Sequence, residues 1–395
     1  MSFDLESRRV ARIMNDPVRS VFSPEELFDT IDWICQRFRA RYSSILRSKQ
    51  TKSTMPKKAS KKKQVTPERL MQFGFAYAPP LIIGAAVTNK VFDTLESGGK
   101  TIEQVGKTTG ASQRGLRAIM NALVGLELLK KERHGKYSLT PESEAFLISG
   151  KPGTLAGFFA MASTHLVPDW LHLREAVKTG APPIALNREA EGPHFFSVLV
   201  ENIIPMSYPA ATTLGQTLGL AKKREPVRVL DIAAGSGIWG IALAQQSPLV
   251  RVTAQDWPEM IPTTKRITQK FGVADRFSYV EGDVLEADFG SNYDVAILGH
   301  ILHTEGEDRS RKLLKKVFAA LKPGGTIAIG EWLVNDQRTE PLPSLIFAVN
   351  MLVHSERGDT FGFNEIKSWL EEAGFKKARK LQAPGPSPLI LATKA

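Results

Sequence analysis

The sequence predicts an α/β protein, in which a doubly wound, mostly parallel sheet follows a smaller and mainly helical domain. Three observations support this fold class. From residue 227 onward, apolar runs of strand length alternate with amphipathic helical stretches. A turn of small residues directly follows the first of these runs, as in nucleotide-binding sheets. Upstream, residues 101–140 have the order helix, turn, helix and hairpin, which is the winged-helix plan.

Length and composition set the outer limits of the organisation. The 395 residues are 42% hydrophobic and 24% charged, which is globular composition with room for two or three domains. We expect a basic, partly disordered extension over 1–65, a winged-helix-like domain over 66–160 and an α/β domain over 161–395. The single Cys35 excludes an intramolecular disulfide and a thiolate metal site.

No targeting signal is expected. The first 16 residues mix acids with bases and lack an apolar core, so they do not predict a secretory signal. The longest apolar stretch, 73–87, is interrupted by Pro79-Pro80, and we predict no membrane span. A cytoplasmic protein is therefore expected. Met55 is an alternative start of the chain.

The positive charge is concentrated near the N-terminus. Between Asp32 and Glu68 there are eleven Lys and Arg and no acid, which accounts for the whole net charge of +11. Such a run favours a solvated tail; the alternative is a salt-sensitive attraction to nucleic acid or to an anionic membrane surface.

The helical domain is predicted in chain order. Residues 68–95 favour one or two apolar helices broken near Pro79-Pro80. A short helix begins at Thr101, and a second helix carries an apolar face made of Leu116, Ile119, Met120, Leu123 and Val124. Residues 128–132 and 137–140 predict a two-stranded wing. Because the second helix offers few side chains that read bases, a scaffold facing a partner subunit is favoured over specific DNA binding.

The α/β half predicts five strands with a polar residue at or just after each carboxyl end. The strands are 227–231, 251–255, 277–280, 295–298 and 326–329, and the polar residues are Asp231, Asp256, Asp283, His303 and Glu331. Helices are predicted at 238–245, 308–321 and 363–373, and strand-like pieces at 378–382 and 388–393 close the chain. Since ligands bind outside the carboxyl ends of such strands, these five residues predict one site.

The turn after the first strand points to a cofactor. Residues 235–240 fit the dinucleotide pattern G-x-G-x-x-G, but Asp231 before them would repel a pyrophosphate. An acid there suits a ligand with an amino group and no phosphate, such as S-adenosylmethionine. Asp256 ends the second strand, where it can accept hydrogen bonds from ribose hydroxyls. A nicotinamide oxidoreductase is disfavoured, because no hydride-relay signature such as Tyr-x-x-x-Lys is present.

With these motifs, residues from about 66 to the end resemble the S-adenosylmethionine-dependent O-methyltransferases that include plant caffeate and hydroxyindole enzymes and bacterial polyketide and pigment methyltransferases. The resemblance implies a seven-stranded, Rossmann-like methyltransferase domain over 161–395, with pocket helices at 161–222. It also implies that the winged-helix domain over 66–160 serves dimerisation in a homodimer.

The resemblance implies roles for individual residues. The methionine moiety would contact Asp231, Ala233, Gly235 and Gly237. Asp256 would bind the ribose. The adenine would contact Trp257, Asp283 and Val284. Gly299 stands at a cofactor-facing position that is often Lys. His303 would be the general base, oriented by Glu331, and no metal is implied. His303 is followed by Thr304-Glu305 instead of Asp-Trp, and near Thr360 only Asp359 or Glu356 could replace a second flanking glutamate. His300 remains the alternative histidine.

The predicted reaction is methyl transfer to a hydroxyl of a small, aromatic or polyketide-like acceptor. Aromatic and Met side chains suit such an acceptor, although each is also ordinary core material. The candidates are Met206, Tyr208, Phe347 and Met351, with His165, Trp170, Phe195 and Phe196 beside them. Two alternatives stay open. The first is an enzyme of the same fold that methylates carbon or nitrogen, or that uses S-adenosylmethionine in another way. The second is a winged-helix DNA-binding regulator.

Overall fold

A computed structural model describes residues 65–186, 188 and 192–395, all within the unit Lys61–Ala395. The basic extension predicted over 1–65 lies outside these residues except for Val65.

The N-terminal part is helical with a small hairpin. Its elements are α1 (Glu68–Phe73), α2 (Ala78–Thr88), α3 (Val91–Leu95), α4 (Ile102–Thr109), α5 (Gln113–Gly125), β1 (Leu129–Lys131), β2 (Tyr137–Leu139) and α6 (Pro141–Phe146). Thr101 and Ser112 cap the starts of α4 and α5 through their side-chain oxygens. The two short strands pair antiparallel, so the predicted helix–turn–helix–hairpin order is present.

The prolines do not break the first apolar segment where the sequence pattern suggested. The break lies at residues 74–77, and Pro79 and Pro80 occupy the first turn of α2. Proline is tolerated there because the first amide groups of a helix have no partner within the helix. Among the described residues, the stretch Glu68–Thr88 is apolar and long enough to cross a membrane by length and composition alone. In the structure it is divided between α1 and α2.

Five further helices lead from this part to the sheet. They are α7 (Ala156–Met161), α8 (Val167–Trp170), α9 (Leu173–Thr179), α10 (Gly192–Asn202) and α11 (Ile204–Thr217), with a π-helical turn at Ala162–Leu166 between α7 and α8. Helices α2 and α7 cross closely: a Cβ at Gly84 would lie 2.4 Å from the carbonyl oxygen of Phe159. Glycine is required at that crossing.

The sheet has seven strands in the order β5-β4-β3-β6-β7-β9-β8, with β9 antiparallel to its two neighbours and the other pairs parallel. The strands are β3 (Val227–Ile232), β4 (Val250–Asp256), β5 (Phe277–Glu281), β6 (Tyr293–Gly299), β7 (Leu321–Gly330), β8 (Phe375–Leu381) and β9 (Leu389–Lys394). The helices are α12 (Ile238–Gln246), α13 (Ile261–Lys270), α14 (Leu302–Ala320), α15 (Leu342–His354) and α16 (Phe363–Glu372). The predicted doubly wound fold is thereby confirmed.

The central strands are buried on both faces. Val229 and Ile297 belong to a core cluster with α11 and α12, whereas their neighbours Leu230 and Leu298 belong to a second cluster with α14 and α16. Successive side chains of a strand point to opposite faces, so each strand supplies both layers.

The predicted start of the helix after β6 is wrong, and the correction changes where His303 lies. The helix expected at 308–321 begins at Leu302, so His303 lies in its first turn. Gly306 has φ 75° and ψ 174°, a non-helical conformation that separates this turn from the body of α14. The body of α14 follows Gly306, close to the predicted start at residue 308.

Candidate active site

The parallel strands bring the predicted polar residues to one edge of the sheet. Asp231 and Asp256 lie in the last residues of β3 and β4, Asp283 follows β5, and Glu331 follows β7. His303 lies just beyond β6. These residues form two hydrogen-bonded groups, one around the glycine turn and one around His303, and Asp283 belongs to a third group described below.

The turn between β3 and α12 is held open by its backbone conformation. Gly235 and Gly237 have φ of 55° and 73°, and even Ala233 has φ 50°. A Cβ at Gly235 would lie 2.9 Å from a methyl group of Val200 on α10. The Thr264 hydroxyl donates to the Gly235 carbonyl at 2.7 Å. This turn is therefore fixed from both sides and leaves no room for a side chain at residue 235.

Asp231 is a buried carboxyl group with one free oxygen. Its Oδ2 accepts the Gly240 amide at 2.9 Å. Its Oδ1 is buried and has no hydrogen-bond partner within the described residues. Burial raises the pKa of Asp231 to about 7, the Gly240 hydrogen bond opposes this, and the charge of Asp256 adds to it. An unsatisfied buried oxygen beside the glycine turn is suited to a donor from a ligand, above all a cationic one.

Asp256 connects the glycine turn to the following strand. Its Oδ2 accepts the Gly235 amide at 2.7 Å and its Oδ1 accepts the Trp257 amide at 2.8 Å. Burial raises its pKa to about 6 against these two hydrogen bonds. A carboxylate can accept about four hydrogen bonds, so two sites remain for hydroxyl donors. The Trp257 ring lies 6.4 Å from that of Phe196, and a Cβ at Gly192 would lie 2.7 Å from it.

The Asp283 side chain is held by hydrogen bonds, whereas that of Val284 is buried in the core. The Asp283 carboxylate accepts the Leu285 amide through Oδ1 and Arg309 of α14 through Oδ2. Val284 is buried in the α14 core cluster, and its carbonyl accepts Lys316 Nζ at 3.1 Å.

Gly299 is required by a neighbouring indole ring. A Cβ at this position would lie 2.3 Å from Nε1 of Trp239, and one at Gly330 would lie 3.2 Å from the same ring. Trp239, in the first turn of α12, therefore fills the space that a longer residue 299 would occupy.

His303 and Glu331 form a buried pair. The imidazole Nδ1 lies 2.7 Å from Glu331 Oε2, and the His303 backbone amide donates to Oε1 at 3.2 Å. Burial acts to raise the pKa of Glu331, but the neighbouring histidines, His303 foremost, outweigh it and hold the pKa below its usual value. A carboxylate only accepts, so Nδ1 carries the hydrogen, and in the neutral ring Nε2 is then the nitrogen with the lone pair. Within the described residues, Nε2 has no hydrogen-bond partner.

His300 is also close to this pair but has other partners. It has φ 67°, and its Nε2 lies 2.9 Å from the hydroxyl of Ser387. Its ring lies 6.3 Å from that of His303 and 6.0 Å from that of Trp239. Burial lowers the pKa of His300 to about 4, so the ring is neutral at physiological pH.

The four predicted acceptor residues separate into two groups. Phe347 lies edge-on to His303, with ring centroids 4.9 Å apart, and Met351 follows one turn later on α15. Tyr208 is not placed at His303: its hydroxyl donates to Gln245 at 2.7 Å and its ring packs near Phe271 in the α12 layer. Met206 lies beside it, in the first turn of α11.

A second set of contacts joins α15 to the preceding helices. His354 Nε2 lies 2.9 Å from Asp169 Oδ2, and Trp170 Nε1 donates to Asn350 Oδ1 at 3.0 Å. The predicted candidate Phe195 stacks at 6.2 Å on His354, and Phe195 also contacts Phe196 and His165. This aromatic group extends from α10 to the helix that carries Phe347.

Two further polar residues lie near the site, and the first of them, Gln255, had no sequence signal. Gln255 accepts the Ala233 amide at 3.3 Å and donates to the Gly282 carbonyl at 2.6 Å, which links the turns after β3 and β5. Thr360 is buried and its hydroxyl has no partner within the described residues. In the same part of the chain, no group of three or more His, Cys, Asp or Glu is arranged to hold a metal ion.

Comparison with known proteins adds two family matches. The model of the O-methyltransferase domain matches residues 213–376, and that of the O-methyltransferase dimerisation domain matches residues 71–149.

Individual relatives align over most of both chains. The tetracenomycin polyketide synthesis 8-O-methyl transferase of Streptomyces glaucescens is 27% identical over 83% of this chain and 97% of its own. The 3-hydroxy-5-methyl-1-naphthoate 3-O-methyltransferase of Streptomyces sahachiroi is 28% identical over 79% of this chain and 90% of its own. Among solved structures, a putative O-methyltransferase from Nostoc punctiforme superposes with TM-score 0.77 and 27% identity, over 84% of this chain and all of that one. Human N-acetylserotonin methyltransferase, solved with S-adenosylmethionine, has the same fold, with TM-score 0.73 and 24% identity over 85% of this chain and 100% of its own.

Proposed function

The chain belongs to the S-adenosylmethionine-dependent O-methyltransferases, and from this premise we propose that it methylates a hydroxyl of a small aromatic or polyketide-like acceptor, with His303 as general base. The hydrogen-bonded pair of His303 and Glu331 is the observation that carries the proposal. The names of the two Streptomyces relatives, a tetracenomycin and a naphthoate enzyme, support the acceptor class.

The residues around the glycine turn fit the cofactor. The free oxygen of Asp231 suits the ammonium group of the methionine moiety, and the backbone of Ala233, Gly235 and Gly237 leaves space beside it. Asp256 has accepting capacity left for two ribose hydroxyls. We assign the adenine to Trp257 and Asp283, with the backbone of Val284 beside them; the space next to Gly299 is taken by Trp239, so residue 299 contributes only its backbone.

The chemistry divides between cofactor and protein. When bound, S-adenosylmethionine would supply an electrophilic methyl group on a cationic sulfur, and the breaking of its sulfur–methyl bond would leave S-adenosylhomocysteine. His303 Nε2 takes the proton of the acceptor hydroxyl, which has a pKa near 10 if it is phenolic, as the oxygen–methyl bond forms. Glu331 keeps Nδ1 protonated and stabilises the imidazolium that results. After transfer, the proton on Nε2 passes to solvent and restores the pair.

Phe347 and Met351 are assigned to the acceptor wall. Phe347 contacts both His303 and Trp332, which stacks on it at 4.8 Å. A flat apolar acceptor placed against this wall would bring its hydroxyl to Nε2 while the aromatic rings exclude water. Met206 stays a weaker candidate, and Tyr208 is left out because its hydroxyl and ring are engaged in the α12 layer.

The N-terminal helices are assigned to dimerisation. A domain model of that function matches residues 71–149. Five large apolar side chains in residues 70–77 are more than half exposed: Leu70, Met71, Phe73, Phe75 and Tyr77. We propose a homodimer that covers them, with the dimerisation domain over 66–160 and the methyltransferase domain over 161–395.

Calorimetric titration with S-adenosylhomocysteine tests the cofactor site. We expect binding by the wild type, loss of binding in Asp256→Ala and no response to NAD. A folded protein that does not bind would contradict the proposal.

An acceptor screen by mass gain of one methyl group then provides the substrate for testing the base. We expect His303→Gln to lower kcat by about 10²- to 10⁴-fold, with unchanged affinity for S-adenosylhomocysteine, because the base acts on the acceptor. Turnover that is insensitive to His303→Gln would instead indicate transfer to carbon or nitrogen without a base.

A further inference from the structure

We infer that Arg309 is a positioning residue for recognition of the adenine amino group, and that it acts by fixing the Asp283 carboxylate. The inference rests on the proposed function, because it takes Asp283 as the adenine partner. Arg309 lies on α14, the helix whose first turn carries His303.

Arg309 joins two carboxylates at the adenine end of the site. Its Nη2 donates to Asp283 Oδ2 at 2.6 Å and its Nε donates to Glu305 Oε2 at 2.5 Å. The other oxygen of Asp283 accepts the Leu285 amide at 2.8 Å. Both oxygens of Asp283 are thus held, one by a guanidinium and one by the backbone, and the plane of the carboxylate is set.

A second contact from the same helix fixes the loop that bears Asp283. Lys316 Nζ donates to the carbonyl oxygens of Val284, Leu285 and Ala287 at 3.1, 2.7 and 2.5 Å. Arg309 and Lys316 are seven residues apart, which is two helical turns, so they project from the same face of α14. One face of this helix therefore holds both the side chain and the backbone of the loop after β5.

The charge balance explains why an arginine suits this place. The buried Glu305 and the partly exposed Asp283 would repel each other without a cation between them. With Arg309 present, the three side chains carry one net negative charge. Asp283 keeps lone pairs for a donor, and the amino group at position 6 of adenine is a donor. A purine with an oxo group at that position presents an acceptor to the same carboxylate and is rejected.

The test compares two ligands and two arginines of one helix. Affinities for S-adenosylhomocysteine and for its 6-oxo analogue, S-inosylhomocysteine, are measured by calorimetry on full-length wild type, Arg309→Gln and Arg311→Gln. Arg311 is the matched control because its partners, Glu307 on α14 and Glu372 at the end of α16, are both exposed acids. We expect the wild type to prefer the adenosyl ligand by about a hundredfold. Arg309→Gln should lower this preference by about tenfold, while Arg311→Gln retains it.

The ratio of the two affinities separates positioning from general stability. If the role of Arg309 were merely structural, Arg309→Gln would lower the affinity for both ligands equally and leave their ratio unchanged. That result would overturn the inference even if the melting temperature fell. If Arg309→Gln does not fold, Arg309→Lys keeps the charge without the two-pronged geometry, and an unchanged ratio there overturns the inference as well. A wild type that binds neither ligand overturns the proposed function together with this inference, whereas binding with an unchanged ratio overturns the inference alone.

Discussion

Two buried carboxyl groups, those of Asp231 and Asp256, make the glycine turn sensitive to protons. Burial raises their pKa values to about 7 and about 6, far above those of exposed aspartates. A raised pKa in the folded state means that the folded chain binds these protons more tightly than the unfolded chain. The stability that this contributes is present below about pH 4 and is lost as pH rises through the folded-state pKa values.

The affinity for S-adenosylhomocysteine should therefore depend on pH. The deprotonated Asp231 forms an ion pair with the ligand's ammonium group, which the neutral acid cannot form, so affinity should rise between pH 5.5 and 7.5, with a limiting slope of about tenfold per unit below the pKa. Asp231→Asn should bind more weakly and lose the step near pH 7. Calorimetric titration across this range measures both effects.

Asp275→Asn is the control for this series, because Asp275 is an exposed acid with an 80% accessible side chain. It should reproduce the wild-type profile. A wild-type affinity that is flat between pH 5.5 and 7.5 would show that neither buried carboxyl group titrates with binding.

At the scale of elements, the first turn of α14 is supported by contacts from a distant part of the chain. The segment after α15 supports this turn from behind: Asp359 donates its amide to the His303 carbonyl at 3.0 Å, and Ser355 donates to the Thr304 carbonyl at 2.9 Å. Gly306 allows the chain to leave the turn, and a Cβ there would lie 2.5 Å from the Arg357 carbonyl oxygen. The position of His303 therefore depends on contacts from a segment some fifty residues away.

The Gly306→Ala variant should displace the first turn of α14 from the segment 355–359 that packs behind it. We expect a loss of stability of about 2–4 kcal/mol, from the left-handed φ and the steric clash together, and a fall in kcat at saturating cofactor because His303 is displaced. Thermal unfolding and single-turnover rates measure the two effects.

Gly290→Ala provides the matched control for Gly306→Ala. Gly290 has φ 71°, close to the 75° of Gly306, but no atom lies within 4 Å of its added Cβ. The Gly290→Ala variant should lose about 1–2 kcal/mol of stability from the strain of the left-handed conformation alone. Its kcat should be unchanged. Equal losses in both variants would show that the contact with Arg357 does not position the turn.

The strands and the doubly wound, mostly parallel class of the sheet could be predicted because apolar runs, turn residues and strand-end acids are local patterns. The rule that parallel strands end at one edge predicted that His303 and Glu331 share a site. Their roles as base and orienting carboxylate were implied by the family resemblance, and the structure brings the two side chains within 2.7 Å. Other features depend on which faces pack together. The contacts of Arg309 with Asp283, and the engagement of Tyr208 with Gln245 instead of the acceptor wall, are set by helix orientation. The sequence pattern alone does not contain that information.

At the scale of the whole molecule, the exposed apolar residues at the start of the described chain are the feature that a single subunit leaves unexplained. Phe73 and Phe75 are 59% and 70% exposed, and they lie where the dimerisation-domain match begins. Exposed apolar patches of this kind mark association surfaces. Burying one such side chain contributes about 1.5–3 kcal/mol, so burial of several of them per subunit favours association.

Sedimentation equilibrium should accordingly find a homodimer, and Phe73→Glu with Phe75→Glu should raise its dissociation constant by at least about a hundredfold, because two carboxylates would be buried without partners. Val177→Glu is the control: Val177 is 67% exposed on α9, outside the match to the dimerisation domain, and this variant should remain dimeric.

If the double variant is monomeric but still binds S-adenosylhomocysteine, the cofactor site is complete within one subunit, as the contacts of the glycine turn indicate. A wild type that sediments as a monomer at micromolar concentration would contradict the assignment of these helices.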